Sequence, residues 1–327
     1  MGPKKLKSVS YAKYGYIFSI PFVLAFLIFT AYPIFYTAVI GFTDLKGLGK
    51  TDFKFLENPL QNFEAVWKNP SFQKSLENTA IIWICNFIPQ ILLALLLTAW
   101  FTNQRQKLRC QGAFKVLFYM PNIITAATIA ILFNTLFGYP MGPVNDLFQM
   151  LGIADGPTEF LRDKWTAKGI ISFIQFWMWY GQTMIVLIAG VLGINPALFE
   201  AAEIDGATSR QVFFHITLPS LRTIMLFTLV TSLIGGMQMF DIPKLFLNGG
   251  PDSATLTVSV FIYNQAFSGS YLYNRAAAAS MILFVIIAIL SGILFYLLRD
   301  KDAGKLKKQM RELKKPRRQQ GGQRHET

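Results

Sequence analysis

The sequence predicts an all-α membrane protein with six transmembrane helices, and three features of the chain indicate this fold class. Of its 327 residues, 53% are hydrophobic and only 15% are charged, whereas soluble domains usually carry about 25% charged residues. Six apolar runs are long enough to cross a bilayer, and the net charge of +13 falls unevenly on the connectors between them. This composition excludes a disordered chain, a coiled coil and a nucleic-acid-binding tail protein, and it disfavours an ordinary cytosolic enzyme.

The six runs are identified by length, because about 20 helical residues cross a hydrocarbon core of roughly 30 Å. The predicted spans cover about residues 14–42, 78–101, 116–137, 169–193, 220–240 and 276–298. Apart from Tyr and Cys, the one ionisable side chain within these limits is Arg222, near the start of the fifth run. Proline residues such as Pro89 and Pro121 are tolerated here as kinks, since neighbouring helices can satisfy the freed backbone groups.

The distribution of Lys and Arg predicts the orientation of the chain in the membrane, because cytoplasmic loops carry an excess of these residues. When the N-terminus is placed inside, the inner segments carry a net charge of +14 and the outer segments −1, and the inner segments include the eleven basic residues from Arg299 to Arg324. We therefore expect a cytoplasmic N-terminus (1–13), a transmembrane domain (14–298) and a basic cytoplasmic tail (299–327). This charge also favours anionic lipid as a partner, and we expect no binding of nucleic acid.

Motifs for catalysis and for cofactor binding are missing. Cys85 and Cys110 lie in different environments, so neither a disulfide nor a metal site is expected. Gly47–Thr51 resembles the end of a phosphate-binding loop, but the pattern requires a glycine where Asp44 stands. The spans also hold no charged residue near their centres, although ion-coupled carriers usually need one. We expect a non-enzymatic chain whose energy source lies in another subunit.

The connector between spans four and five has clear helix signals. Asn195 is a good N-cap, Pro196 suits the first helical position, and Gly206 can take the left-handed conformation that ends a helix. Ser209 can cap a second short helix, and Pro219 marks the bend into span five. Local chemistry alone predicts a capped amphipathic connector on the membrane surface.

The spacing within this connector (194–219) is more specific than its local chemistry. Its fixed positions are Glu200, Ala201, Ala202, Gly206, Ile216, Leu218 and Pro219. They match the cytoplasmic EAA loop of ABC-importer permeases at every position, and the connector lies where that family has the loop. Weaker motifs, such as Leu76–Thr79 and Asn248–Pro251, resemble the carbohydrate-uptake branch of the family, that of the maltose and multiple-sugar importers.

The resemblance implies a type I ABC importer permease core in the bacterial plasma membrane, with both termini cytoplasmic. It also implies three protein partners: a pair of cytoplasmic ATPase subunits that bind ATP and Mg, a second and different permease, and an extracytoplasmic solute-binding protein. In this family Glu200 would contact the ATPase, Ala201 and Ala202 would form a close-packing surface, and Gly206 would form the turn.

Polar residues within the spans are candidates for the solute path. Gln175, Trp179 and Gln182 follow one another at helical spacings of four and three, so they share one face of span four. Ser232, Gln238 and Asn122 are further polar residues in apolar runs. Aromatic faces with amide and hydroxyl groups suit a sugar. The alternative for each residue is a hydrogen bond between helices, which is common in membrane bundles.

Several functions fit these observations. A sugar or oligosaccharide is favoured because no Lys or Arg lies within the central spans. The same machinery could carry a glycerol phosphate ester or a polyol. An ion-coupled secondary carrier and a membrane scaffold that binds partners through its basic tail are alternatives of a different class.

Overall fold

The computed structural model describes residues 12–103, 109–269 and 271–298, and the regular structure in these ranges is helical. One isolated β-bridge joins Thr43 and Phe55. The basic tail (299–327) and most of the predicted N-terminal segment (1–13) lie outside the described residues.

The helices follow the predicted order of spans and connectors. The first half of the chain contains α1 (Ala12–Phe26), a π-helical segment (Leu27–Ala31), α2 (Tyr32–Ile40), α3 (Gln61–Trp67), α4 (Pro70–Phe101), α5 (Gln111–Ile123), α6 (Ala126–Leu136) and α7 (Pro143–Met150). The second half contains α8 (Lys164–Leu192), α9 (Pro196–Ile204), α10 (Ser209–Val212), a second π-helical segment (Phe213–Thr217), α11 (Leu218–Ser220), α12 (Arg222–Met237), α13 (Asp241–Leu247), α14 (Val258–Phe267) and α15 (Tyr273–Leu298).

Five of the predicted spans are helices long and apolar enough to cross a membrane. They cover Lys13–Ile40, Pro70–Phe101, Lys164–Leu192, Arg222–Leu247 and Tyr273–Leu298. The third run differs from the prediction of a single helix over 116–137, because α5 and α6 meet at an angle of 89°. Ile124 has extended backbone (ψ 136°), and the side chain of Thr125 caps α6 by accepting a hydrogen bond from the Thr128 amide. Hydropathy cannot reveal this break, since the residues around it are themselves mostly apolar.

The fifth span is also interrupted, and the two interruptions pack together. Helix α12 ends at Met237 and α13 begins at Asp241. Helix α6 packs against α13, where Phe133, Ile242 and Phe246 belong to one buried cluster. The bend of 89° therefore lies inside the predicted third span, whereas the interruption before α13 lies at the end of the predicted fifth span (220–240).

The centre of the bundle is formed by α4 and α8, which make the most extensive helix pair in the described residues. Ile82, Ile174 and Leu187 are fully buried along this pair. Span one is the opposite case: its most hydrophobic window has no buried residues, and it packs mainly through α2 against α15. A face this apolar needs lipid or another subunit to cover it.

The two ends of the bundle differ. Long connectors at 41–69, 137–163 and 248–272 form the long-connector end. The opposite end holds residues 193–221 and is named the coupling-loop end below. Asn78 in α4 donates to the carbonyl oxygens of Ser253 and Leu256, which fixes the last long connector onto span two.

Candidate coupling loop and solute cavity

The connector at 194–219 begins with the helix that the sequence predicts. The Asn195 side chain accepts a hydrogen bond from the Ala197 amide at 3.1 Å, and Pro196 is the first residue of α9. At the other end, the Ala207 amide donates to the Ala202 carbonyl at 2.9 Å and the Gly206 amide to the Glu203 carbonyl at 3.1 Å. Gly206 has φ +72°. These features form a Schellman motif, which is why a glycine stands at this position.

The second short helix is capped by a different residue from the one predicted. The sequence favoured Ser209, but Ser209 is the first residue of α10 and Thr208 is its N-cap. The Gln211 side chain accepts from the Thr208 amide at 2.7 Å, and the Thr208 hydroxyl accepts from the Gln211 amide at 3.4 Å. This capping box was readable as Thr-x-x-Gln in the sequence. Thr208 is favoured over Ser209 as the N-cap because the capping box satisfies two backbone donors at once.

The predicted coupling residues divide into an exposed group and a buried group. Glu200, Ala201, Gly206 and Pro219 are exposed, Ile216 and Leu218 are half-buried, and Ala202 is buried with 7% of its surface accessible. Ala202 therefore faces its own chain, and the expectation that both alanines offer a small surface to a partner is revised to Ala201 alone. The reason is helical geometry, because successive residues point about 100° apart.

An apolar cavity of about 720 Å³ separates the loop from span two. Its walls come from the C-terminal end of α4 and from the loop, and include Leu92, Leu96, Trp100, Phe199, Phe213 and Leu218. The loop and α4 therefore enclose a cavity, and their surfaces are not packed continuously against each other.

A second cavity, named the solute cavity here, has a volume of about 510 Å³ and lies between α4, α8, α12 and the break before α13. Five of the six candidate solute-path residues line it: Gln175, Trp179, Gln182, Ser232 and Gln238. The sixth does not, because the Asn122 amide donates to the Met178 carbonyl at 3.3 Å. Asn122 thus fits the alternative of a hydrogen bond between helices.

The amide groups of this cavity are largely free to bind a ligand. In the described part of the chain, the side chains of Gln175, Gln182 and Gln238 make no hydrogen bond, although Gln175 is only 9% exposed. The buried Thr228 hydroxyl on the same wall also has no partner. Gln182 is half-buried and Gln238 is exposed, whereas Gln175 and Thr228 are buried. Because unpaired buried polar groups are costly, Gln175 and Thr228 favour a hydrogen-bonding ligand.

Sequence reasoning missed part of the lining. Asn86 and Gln90 lie one turn apart on α4, and the Gln90 amide donates to the Thr183 hydroxyl at 2.7 Å. Their presence in an apolar run was a readable signal. Asp241, the first residue of α13, also lines the cavity. Across the described ranges, no group of three His, Cys, Asp or Glu side chains could hold a metal ion.

The comparisons with known proteins agree with this architecture. Residues 65–303 match the family described as the inner membrane component of binding-protein-dependent transport systems. The lactose transport system permease protein LacF of Rhizobium radiobacter is 33% identical, over 88% of this chain and 94% of the relative. The arabinooligosaccharides transport system permease protein AraP of Bacillus subtilis is 30% identical, over 84% of this chain and 85% of the relative.

The fold also matches a solved structure. One chain of a bacterial ABC transporter that imports the acidic polysaccharide alginate aligns with a TM-score of 0.71 at 23% identity, covering 87% of this chain and 94% of that chain. At this identity the match concerns the fold alone. Family and fold together confirm the resemblance carried by the coupling-loop motif, and they leave the ion-coupled carrier and the scaffold without support. The chain belongs to the family of inner membrane components of binding-protein-dependent transport systems, and it is a membrane-spanning permease subunit of that kind.

Proposed function

We propose that this chain forms half of the translocation path of an ATP-driven importer for a sugar or oligosaccharide. The observation that carries the proposal is the solute cavity, which presents three unpaired glutamine amides and the face of a tryptophan. Relatives named for lactose and arabinooligosaccharides support the same solute class.

The lining suits a neutral polyhydroxylated solute. Each glutamine amide offers two donors and one acceptor oxygen, and sugar hydroxyls can pair with both kinds of group. Trp179 is 46% exposed, so its ring is available to stack on the apolar face of a pyranose. Among the described residues, no Lys or Arg lines the cavity, and a glycerol phosphate ester would lack a cationic partner there.

The connector at 194–219 couples transport to ATP hydrolysis. Glu200 is exposed on α9 and can pair with an arginine of a partner ATPase, while Gly206 sets the angle at which α9 is presented. ATP and Mg bind to that ATPase pair, and this chain is not catalytic.

The remaining partners follow from the same assembly. A second, different permease completes the path, and an extracytoplasmic solute-binding protein delivers the solute to the long-connector end. The coupling-loop end and both termini are cytoplasmic in the bacterial plasma membrane. Anionic lipid is a further partner, attracted by the basic residues of the segments that the sequence assigns to the cytoplasmic side.

Co-purification tests the assembly. The protein is tagged at its C-terminus, extracted from native membranes in mild detergent, and its stoichiometric partners are identified by mass spectrometry. We expect an ATPase and a second permease. Recovery of this chain alone, even after gentle crosslinking, would overturn the proposal.

Two substitutions test the coupling loop in the reconstituted transporter. Glu200→Lys and Gly206→Arg should abolish uptake while ATP hydrolysis continues and the protein stays in the membrane. Glu203→Lys is the matched control, because it makes the same charge change on the same helix outside the motif. Normal uptake by both variants would refute the coupling role.

Two further substitutions test the solute cavity. Gln175→Leu and Gln182→Leu remove amides from the cavity and should reduce sugar uptake, whereas Asn122→Leu removes a polar group outside it and should reduce uptake less. Equal loss in all three would mean that the cavity does not bind the sugar.

A further inference from the structure

We infer that Asp241 determines which class of saccharide the solute cavity accepts. Its carboxylate accepts hydrogen bonds from two neighbouring hydroxyls of a neutral saccharide, and its charge excludes saccharides that carry a carboxylate or a phosphate. This inference rests on the proposed function and specifies its substrate class.

The first argument is position. Asp241 is the one ionisable side chain among the residues that line the cavity within the described ranges. It stands where span five is interrupted, three residues after Gln238, and the residue is exposed. The carboxylate is therefore within the same lining as the unpaired glutamine amides.

The second argument is that the carboxylate has no partner in the described chain. It lies in the first turn of α13, where a negative charge is favourable, but it makes no side-chain cap, and no ion pair or hydrogen bond engages it. The nearest lysine along the helix is directed elsewhere, because Lys244 Nζ donates to the Asn264 side-chain oxygen at 2.9 Å and lies 4.7 Å from the centre of the Tyr263 ring. Lys164, at the same end of the bundle, pairs with Asp252 at 3.2 Å.

The third argument is chemical. Hydrogen bonds from hydroxyls to an ionised carboxylate are stronger than those to neutral acceptors, so a vicinal diol can replace the water that would otherwise solvate Asp241. A negatively charged solute meets the opposite situation. No cation among the described lining residues compensates for its charge, so the two anions repel each other. The cavity is thus selective against acidic saccharides. The importer that shares its fold is named for an acidic polysaccharide, alginate.

The test compares two saccharides that differ by one carboxylate: lactose and galacturonosyl-(1→4)-glucose. Binding is measured by calorimetry on the complete permease–ATPase complex in nanodiscs, without the solute-binding protein, so that only the membrane site discriminates. The variants are Asp241→Asn, which keeps an acceptor but removes the charge, and Asp241→Leu, which removes both. Asp146→Asn is the control, because Asp146 is an exposed aspartate in a connector helix outside the cavity.

We expect the wild-type complex to bind the uronate about tenfold more weakly than lactose, a ratio that corresponds to one like-charge contact at partial screening. In Asp241→Asn the two saccharides should bind about equally, and the ratio of their affinities should not depend on salt. Asp241→Leu should weaken lactose binding by about tenfold. Asp146→Asn should behave as wild type.

The outcomes separate the inference from the proposed function. If lactose binds, Gln175→Leu weakens it and Asp241→Asn leaves the lactose-to-uronate ratio unchanged, the inference is wrong while the sugar cavity stands. If neither saccharide binds to wild type and Gln175→Leu changes nothing, the sugar cavity and the inference fall together.

Discussion

The Asn274 side chain at the start of span six donates a hydrogen bond to the side-chain oxygen of Asn62 at 3.0 Å, and both residues are buried. Asn62 in turn donates to the carbonyl oxygens of Gly41 and Thr43, at 2.9 and 2.8 Å. One buried amide pair therefore joins the end of span one, the first connector and span six. These elements are far apart in sequence, so the pair fixes the long-connector end.

Replacing Asn62 should destabilise that end. Asn62→Ala leaves two buried carbonyl oxygens without donors, which costs about 1–3 kcal/mol for each unsatisfied group. The transition temperature in detergent should fall by several degrees, as measured by fluorescence-detected size-exclusion chromatography. Gln61→Ala is the control, since Gln61 is exposed on the same helix. An unchanged transition in Asn62→Ala would contradict the role of the pair.

Arg222, the one charged residue in the predicted spans, joins the start of α12 to span six. Its Nε donates to the carbonyl oxygen of Leu298 at 3.2 Å, and a charged donor makes a stronger hydrogen bond than a neutral one. Arg222→Ala should increase amide hydrogen exchange over residues 292–298 about fivefold, which corresponds to about 1 kcal/mol of local stability. Thr223→Ala, at the exposed neighbouring residue, should leave exchange as in wild type. Equal exchange in the two variants would show that the contact has no energetic weight.

Gly181 permits the close crossing of α5 and α8. A Cβ atom at this position would collide with the carbonyl oxygen of Phe118 and lie 2.9 Å from the Tyr119 Cα, and neither backbone atom can move cheaply. Gly181→Ala should lower stability by about 1–3 kcal/mol, as expected for overpacking. Gly169→Ala is a matched control in the same helix, because a Cβ there meets no atom within 4 Å. We expect Gly169→Ala to be neutral or stabilising, and thermal melts of both variants decide the matter.

Asp163 gives the start of α8 a pH-dependent cap. Its carboxylate accepts from the Thr166 amide and from the Thr166 hydroxyl, both at 2.8 Å, and these hydrogen bonds lower the pKa of Asp163 below its ordinary value of 3.8. Because the folded-state pKa is the lower one, the stabilisation is complete above pH 3.8 and is lost as the pH falls through the folded-state pKa.

This cap can be tested by comparing Asp163→Ala with wild type across pH. The variant should melt at a lower temperature at neutral pH, and the difference should shrink below pH 3.8. Asp163→Asn keeps an acceptor for the Thr166 amide but lacks the charge, so at neutral pH it should melt between Asp163→Ala and wild type. A difference between wild type and Asp163→Ala that does not depend on pH would mean that the charge of the carboxylate is irrelevant.

Local sequence signals predicted the coupling loop well. Asn195 and Pro196 begin α9 and Gly206 ends it. Each acts through its own side chain or backbone conformation, so these roles do not depend on distant residues. The fate of the two alanines was different. Ala202 is buried and Ala201 is not, and only the way α9 rests on the bundle decides which side faces inward.

The solute cavity shows the same division. Helical spacing placed Gln175, Trp179 and Gln182 on one face of span four, and the structure places them on one cavity. The spacing could not indicate that Asn122 would be used by the Met178 carbonyl, or that Asp241 would join the lining. Those outcomes depend on helices that are distant in sequence.

The sequence by itself determined the membrane class, the number and order of apolar runs and the ends of α9, because hydropathy and capping act over one or two helical turns. Tertiary structure alone decided that span three bends by 89° and that α13 continues span five beyond residue 240. The break at Ile124 and the break before Asp241 allow α6 and α13 to pack against each other. Apolar composition is compatible with both a straight helix and a bent one, so only the contacts between distant segments could choose between them.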